Sequence, residues 1–255
     1  YLRTHPLTTE RISDMRARVP IGPTTAAPAD VLHAVMAARA RVLSAGGVDT
    51  LQALVREADI TPAEAPLARQ APALYAGTLA AQRLRDRAKA ERLLGRLASL
   101  PKTDPRISRA VRLLAGEMAL VAGDATRAAA AAGMAPASGP MPRPELLLTA
   151  HAALVGGQPA EAASRLQTWV ATHPSDATAW QLLAQAQGAR GQALAALRSE
   201  AESRVAMLDY PAALDRLRAA QELARRAGAD HIEASIVDAR ARQVDLLVRE
   251  QAAER

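Results

Sequence analysis

A pattern of large, small and turn-forming residues recurs through the middle of the chain, and 34 residues separate successive copies, as from Leu146 to Trp180. The reference copy fills its slots with Leu146, Ala150, Gly157 and Ala162. The next copy has Trp180, Ala184, Gly191 and Ala196, and the preceding one has Gly116, Gly123 and Ala128. A period of this length predicts pairs of helices, with glycine at the turn and small residues where two helices approach closely.

This outline resembles the tetratricopeptide repeat, a helix-turn-helix unit of about 34 residues. Pro140 and Pro174 fall where the second helix of a pair should end, since proline cannot continue a helix. The sequence therefore predicts an all-α fold, a tetratricopeptide-like solenoid of helical hairpins. Accidental periodicity in alanine-rich helices is the alternative, but it does not account for the placement of glycine and proline.

Residues outside the period predict further divisions of the chain. Residues 20–29 carry Pro20, Pro23 and Pro28 and are predicted to be a linker. Residues 30–70 are expected to form capping helices, whose pairing the pattern leaves open. Repeats then occupy residues 71–255 with a capping helix at the end. The first repeat lacks the turn glycine, which predicts a looser copy.

Repeat slots overlap near residues 192–207. Counting back from Tyr210 and Ala213, the large and small slots of one unit fall on Leu197 and Ala201, inside the second helix of the unit before it. We therefore expect one helix over residues 192–207 that serves two hairpins.

Composition narrows the classes of function. Phenylalanine is absent and aromatic residues make up 2% of the chain, so the core is predicted to be Leu, Ala and Val. Zero cysteine excludes disulfides and thiolate metal sites, and no apolar run is long enough to cross a bilayer. The net charge is +6, but few aromatics are available to stack on bases, so we predict no nucleic-acid partner. An RNA-binding repeat is the alternative, and it predicts binding that weakens steeply with salt.

Two short stretches resemble a known family. Thr4-His5-Pro6, followed by Glu10-Arg11-Ile12, resembles the closing segment of the catalytic domain in HExxH zinc metallopeptidases. Residues 179–186 and 210–214 look like the C-terminal repeat region of periplasmic β-barrel assembly-enhancing proteases. Residues 1–19 are accordingly expected to be the tail end of a metallopeptidase domain.

The resemblance implies a substrate-recruiting and protein-interaction domain of a periplasmic zinc metalloprotease. Implied partners are outer-membrane β-barrel precursors and their assembly machinery, and the parent enzyme's cofactor would be zinc. The chain contains no HExxH, so we expect the metal-binding part to precede Tyr1 and the 255 residues to hold no metal and no peptidase activity. A free-standing repeat adaptor without a protease is the alternative.

His5 is a candidate for controlling the parent enzyme. By the resemblance, a histidine in a segment that closes over the catalytic cleft could reach the open coordination position of zinc and keep the enzyme silent. The alternative is a loop histidine that only forms local hydrogen bonds.

Helical solenoids bind extended segments on the concave face formed by the first helix of each pair. The predicted binding residues on that face are Tyr75, Leu79, Arg83, Leu113, Glu117, Leu120, Leu147, His151, Leu154, Gln181 and Gln185. Their mixture of apolar and polar side chains predicts an unfolded or extended polypeptide as ligand, although residues such as Leu113 and Leu147 could equally belong to the core.

Overall fold

A computed structural model describes residues 9–18, 30–101, 104–133, 141–227 and 231–253. Within these ranges it shows thirteen α-helices and no strand. In chain order the helices are α1 Thr9–Ala17, α2 Val31–Leu43, α3 Val48–Ile60, α4 Leu67–Arg83, α5 Arg87–Ala98, α6 Pro105–Val121, α7 Ala125–Ala132, α8 Arg143–Val155, α9 Pro159–Thr172, α10 Ala177–Ala189, α11 Ala193–Ala206, α12 Tyr210–Ala227 and α13 His231–Ala253. Residues 1–8 with Thr4-His5-Pro6, the predicted linker at 20–29 and Pro140 lie outside the described residues.

The helices pack in the order of the chain. From α6 onward each helix packs against the next one, and α6, α8 and α10 also touch along one side. The predicted fold class, an all-α solenoid of helical hairpins, is confirmed. No helix in the described ranges is long and apolar enough to cross a membrane.

Five turns between consecutive helices share one backbone form. Gly123, Gly157 and Gly191 have φ of 76°, 72° and 73°, and Arg85 and Leu208 have φ of 62° and 61° at the same place in their turns. In each turn the next residue donates its backbone N–H to the carbonyl five residues earlier, at 2.7–3.0 Å. This pattern satisfies the free carbonyls at a helix end. The first repeat therefore makes the same turn without a glycine.

Small residues lie at the helix contacts, where the period places them. A Cβ added at Gly116 would come within 2.5 Å of Leu148 Cδ2 and 2.9 Å of Ala131 Cβ, so α6 can approach α7 and α8 closely only because this position is glycine. Ala128 and Ala162 are fully buried.

Helix α4 is enclosed by its neighbours. Both α2 and α3 pack mainly against α4, which answers the pairing that the sequence leaves open. An ion pair of 3.2 Å between Arg41 and Glu57 also joins α2 to α3. Residues 73–81 are all buried. A Cβ added at Gly77 would lie 2.3 Å from Ala58 Cβ, because α3 and α4 almost touch there.

Helix α11 serves two pairs, as predicted. It packs against both α10 and α12, and it also touches α13, whereas α10 and α12 do not pack together. Leu208 makes the left-handed turn after α11, only 17 residues after Gly191. From α11 onward the pairing of helices into hairpins is therefore displaced by one helix.

Candidate functional site

A groove of about 760 Å³ runs along the side where α6, α8 and α10 touch. We call it the inner groove. It is lined by Leu32, Met36 and Arg39 of α2, Tyr75 of α4, Arg106, Arg109, Ala110, Leu113, Glu117 and Leu120 of α6, Arg143, Pro144, Leu147, Leu148 and His151 of α8, and Thr178, Gln181, Leu182 and Gln185 of α10.

Eight of the eleven predicted binding residues line this groove. They are Tyr75, Leu113, Glu117, Leu120, Leu147, His151, Gln181 and Gln185. Tyr75 is only 2% exposed, so it borders the groove but offers almost no surface to a ligand. The structure places the other three elsewhere. Leu79 is buried in the core shared by α2 to α6, Arg83 donates a hydrogen bond to the carbonyl of Val42, and Leu154 packs against the core between α8 and α10. Leu79 and Arg83 do not line the groove, because α2 packs against α4 and covers them.

The inner groove combines leucine side chains on α6 and α8 with exposed amide groups on α10. Leu113, Leu120 and Leu147 are half-buried along the floor, while Gln181 and Gln185 are exposed on α10. Exposed amide groups can donate to and accept from a peptide backbone, and leucine side chains can bury apolar side chains of a ligand. This arrangement suits a segment of polypeptide.

Arg39 ties α2 to both α4 and α6 at the wall of the groove. Its Nη1 donates to Tyr75 Oη at 3.1 Å and to Glu117 Oε2 at 3.0 Å, and its Nη2 donates to Glu117 Oε1 at 2.9 Å. Burial raises the pKa of the Tyr75 phenol. Tyr75 and Glu117, both predicted ligand contacts, therefore already hold the wall in place.

Sequence reasoning missed the contribution of α2. The sequence predicts only caps for residues 30–70, because the repeat period carries no information about them. The available signal was the spacing of Leu32, Met36 and Arg39, which places them on one stripe of a helix beside the buried stripe of Val35 and Val42.

Three arginines cluster at one end of the inner groove, near the first residues of α6 and α8. We call Arg106, Arg109 and Arg143 the arginine end. Arg109 donates to Glu145 at 2.6 and 2.7 Å, and Arg143 donates to Asp176 at 2.7 Å from both of its nitrogens. The Glu145 side chain is 0% exposed and that of Asp176 is 7% exposed, whereas Arg109 and Arg143 are 42% and 49% exposed. At Arg109 and Arg143 a ligand therefore meets guanidinium groups rather than buried carboxylates. Arg106 instead donates at 2.7 Å to Asp104, whose side chain is 25% exposed.

The same pairs keep the carboxylates ionised. Hydrogen bonds from Arg109 hold the pKa of Glu145 below its usual range. Burial alone would raise the pKa of Asp176, but hydrogen bonds from Arg143, Trp169 and the Ala179 N–H outweigh it and lower the pKa to about 2. Burial lowers the pKa of His151, which favours the neutral imidazole.

Metal ligands do not come together in the described ranges. No group of three or more His, Cys, Asp or Glu side chains there could hold a metal ion. The described residues thus do not fit zinc, and we assign none of them a step in metal chemistry.

A second cavity, of about 830 Å³, lies between α5 and α6. Leu94, Leu97, Ile107 and Val111 form part of its mostly apolar lining. Arg127 Nη1 lies 3.2 Å from Glu91 Oε1 in an ion pair between two of its lining residues. None of the predicted binding residues lines this cavity.

Comparison of the chain with protein-family models finds no match, and a search of curated proteins finds none. The helical hairpin packing therefore rests on the structure, and no family is assigned.

Proposed function

We propose that this chain is a protein-interaction domain whose inner groove binds segments of other polypeptides. The observation that carries the proposal is the convergence of five helices on one groove with leucines on its floor and exposed amides on its wall. A solenoid that presents such a surface on its inner side is suited to extended or helical peptide segments.

We further propose that the domain recruits substrates for a periplasmic zinc metalloprotease that acts in outer-membrane protein assembly and quality control. This part rests on the resemblance of Thr4-His5-Pro6 and Glu10-Arg11-Ile12 to the closing segment of such enzymes. The proteolytic chemistry is assigned to an HExxH motif that the 255 residues lack. The gating role of His5 stays a prediction.

Photocrosslinking tests the first proposal directly. A photoreactive amino acid replaces Gln185 in the groove, and Gln167, which is also exposed and lies on α9, serves as the matched control. The probe is a denatured outer-membrane β-barrel precursor. We expect several-fold more crosslinking at Gln185 than at Gln167, because only Gln185 lines the groove.

Equal crosslinking at Gln185 and Gln167, with both variants folded by circular dichroism, would overturn the proposal. Arg83 and Glu117 are poorer probe positions, since each holds α2 in place through its own hydrogen bonds. A loss of binding at either residue would not separate ligand contact from a displaced α2.

A further inference from the structure

Helix α2 shows how a helix can sit on this side of the solenoid. Asp30 Oδ1, at its start, is 3.7 Å from Arg106 Nη2 at the start of α6, and Arg39 further along bonds to Glu117 further along α6. Arg83, at the end of α4, reaches the carbonyl of Val42 at the end of α2. Helix α2 therefore runs parallel to α4 and α6 and covers the inner side of α4.

The buried and open stripes of α2 define the groove beside it. Val35, Ala38 and Val42 are buried, while Leu32 and Met36 face the inner groove together with Arg39. Helix α2 thus forms one wall, α10 forms the other, and α6 and α8 form the floor.

The width and length of the inner groove suit one bound helix. Packed helices lie roughly 8–10 Å apart, so a floor of two helices between two walls leaves room for one helix about 10 Å across. The lining stripe of α6 from Arg106 to Leu120 spans about 21 Å at 1.5 Å per residue. A ligand helix of roughly 15 residues would match that length.

Charge varies along the groove. The arginine end lies at the N-terminal ends of α6 and α8, where the helix dipoles add partial positive charge. The far end is lined by Leu120, His151 and Gln185, none of which is an acid or an arginine. The exposed guanidinium groups of Arg109 and Arg143, whose carboxylate partners are buried, therefore favour acidic groups of a ligand at the arginine end of the groove.

We propose that the occupant of the inner groove is an amphipathic α-helix, aligned with α2, whose acidic residues cluster at the end that lies over Arg106, Arg109 and Arg143. This inference rests on the proposed function and specifies its ligand. Its apolar stripe would cover Leu113, Leu120 and Leu147, as Val35 and Val42 of α2 pack into the core with α4.

Binding of three synthetic peptides tests the inference. The first is a helix-forming peptide of roughly 15 residues, with leucine at i, i+3, i+4 and i+7 and glutamate clustered at one end. The second replaces those glutamates by lysine, and the third carries a central proline that breaks the helix. Fluorescence anisotropy with the full chain should show the first peptide binding at least about tenfold more tightly than either twin.

Variants of the protein locate the charge effect. Arg106→Gln should reduce the preference for glutamate over lysine severalfold, because it removes a guanidinium group that is 59% exposed and leaves the neighbouring Asp104 and Asp30 without its positive charge. Arg165→Gln is the matched control, because Arg165 is an exposed arginine of α9 outside the groove. It should leave the preference unchanged.

Each outcome decides one part of the inference. Equal binding of the proline peptide overturns the helical ligand, and equal binding of the lysine peptide overturns the charge preference. If none of the peptides binds while Gln185 still crosslinks a precursor, the inference fails and the proposed function stands. Absence of both signals overturns both.

Discussion

Asp176 joins three helices through a single carboxylate. It caps α10 by accepting from the Ala179 N–H at 3.2 Å, and it accepts from Arg143 of α8 and from Trp169 Nε1 of α9 at 2.9 Å. Trp169 also stacks on His173, with ring centroids 3.7 Å apart. The carboxylate therefore fixes the joint between two consecutive hairpins.

Replacing this carboxylate should make stability less dependent on pH. The folded pKa of about 2 lies below the unfolded value of about 3.9, so ionised Asp176 stabilises the fold above pH 4, and this contribution is lost as the pH falls toward 2. We expect Asp176→Asn to cost about 2 kcal/mol at pH 7, a figure reduced for the half-exposed Arg143, and about half as much at pH 3. Urea unfolding at both pH values measures this difference.

Asp49→Asn is the control, because Asp49 is an exposed carboxylate in the first turn of α3. It should change the free energy of unfolding by less than about 0.5 kcal/mol. A cost at Asp176 that stays the same from pH 7 to pH 3 would contradict the role of its ionised form.

The sequence shows which residues cap a helix but not which distant arginine pairs with a given carboxylate. The Ser175-Asp176 pair ahead of an apolar stretch is a recognisable helix start, yet Arg143 lies 33 residues away. The chain has thirty arginines and 26 acidic side chains, so no local sequence feature identifies Arg143 as the partner of Asp176. Glu145, fully buried beside Arg109, was missed for the same reason.

Left-handed turns join five pairs of consecutive helices. Glycine adopts positive φ freely, whereas a residue with a Cβ is strained there by about 1 kcal/mol. The period predicts the three glycine turns. It does not predict Arg85 and Leu208, because packing of the flanking helices, rather than local preference, holds these residues at positive φ.

Replacing a turn glycine with alanine and replacing Leu208 with glycine should change the free energy of unfolding in opposite directions. Gly157→Ala should destabilise by about 1 kcal/mol, and only through backbone strain, since no atom lies within 4 Å of the added Cβ. Leu208→Gly should stabilise by about 0.5–1 kcal/mol, because Leu208 is 64% exposed and loses little burial. Urea unfolding measures both.

Leu246→Gly provides the contrast, since Leu246 is also exposed but lies within α13. There glycine should destabilise by about 1 kcal/mol through helix propensity. If Leu208→Gly destabilises to the same extent, positive φ at Leu208 is not strained.

The whole molecule is held together by contacts between neighbours. One core cluster joins α2 to α6, and a separate cluster joins α11 to α13. The repeat period could predict the stacked hairpins from α6 to α10, because each unit repeats the same contacts. It could not predict that α2 lies on the inner side of α4, because α2 has no counterpart in the repeats.

Core substitutions should therefore act locally. Leu217 and Leu93 are both fully buried, one in each of these two clusters. Each change to alanine should cost about 2–5 kcal/mol. We expect Leu217→Ala to speed amide hydrogen exchange in α11 to α13 much more than in α3 to α5, and Leu93→Ala to do the reverse.

Hydrogen exchange followed by mass spectrometry on both variants checks this expectation, with each variant serving as the control for the other. Uniform acceleration across all helices in both would contradict local coupling and would indicate one cooperative unit.

The single-helix shift at α11 has a consequence for the direction in which the row of helices bends. Even-numbered helices touch from α4 to α10, whereas odd-numbered helices touch from α11 to α13. The side where alternate helices meet is the shorter side, so we expect the row of helices to bend toward the even-numbered helices up to α10 and toward the odd-numbered helices from α11. Inserting or deleting one helix would thus reverse the direction of the bend, because it exchanges the odd-numbered and even-numbered helices on the inner side.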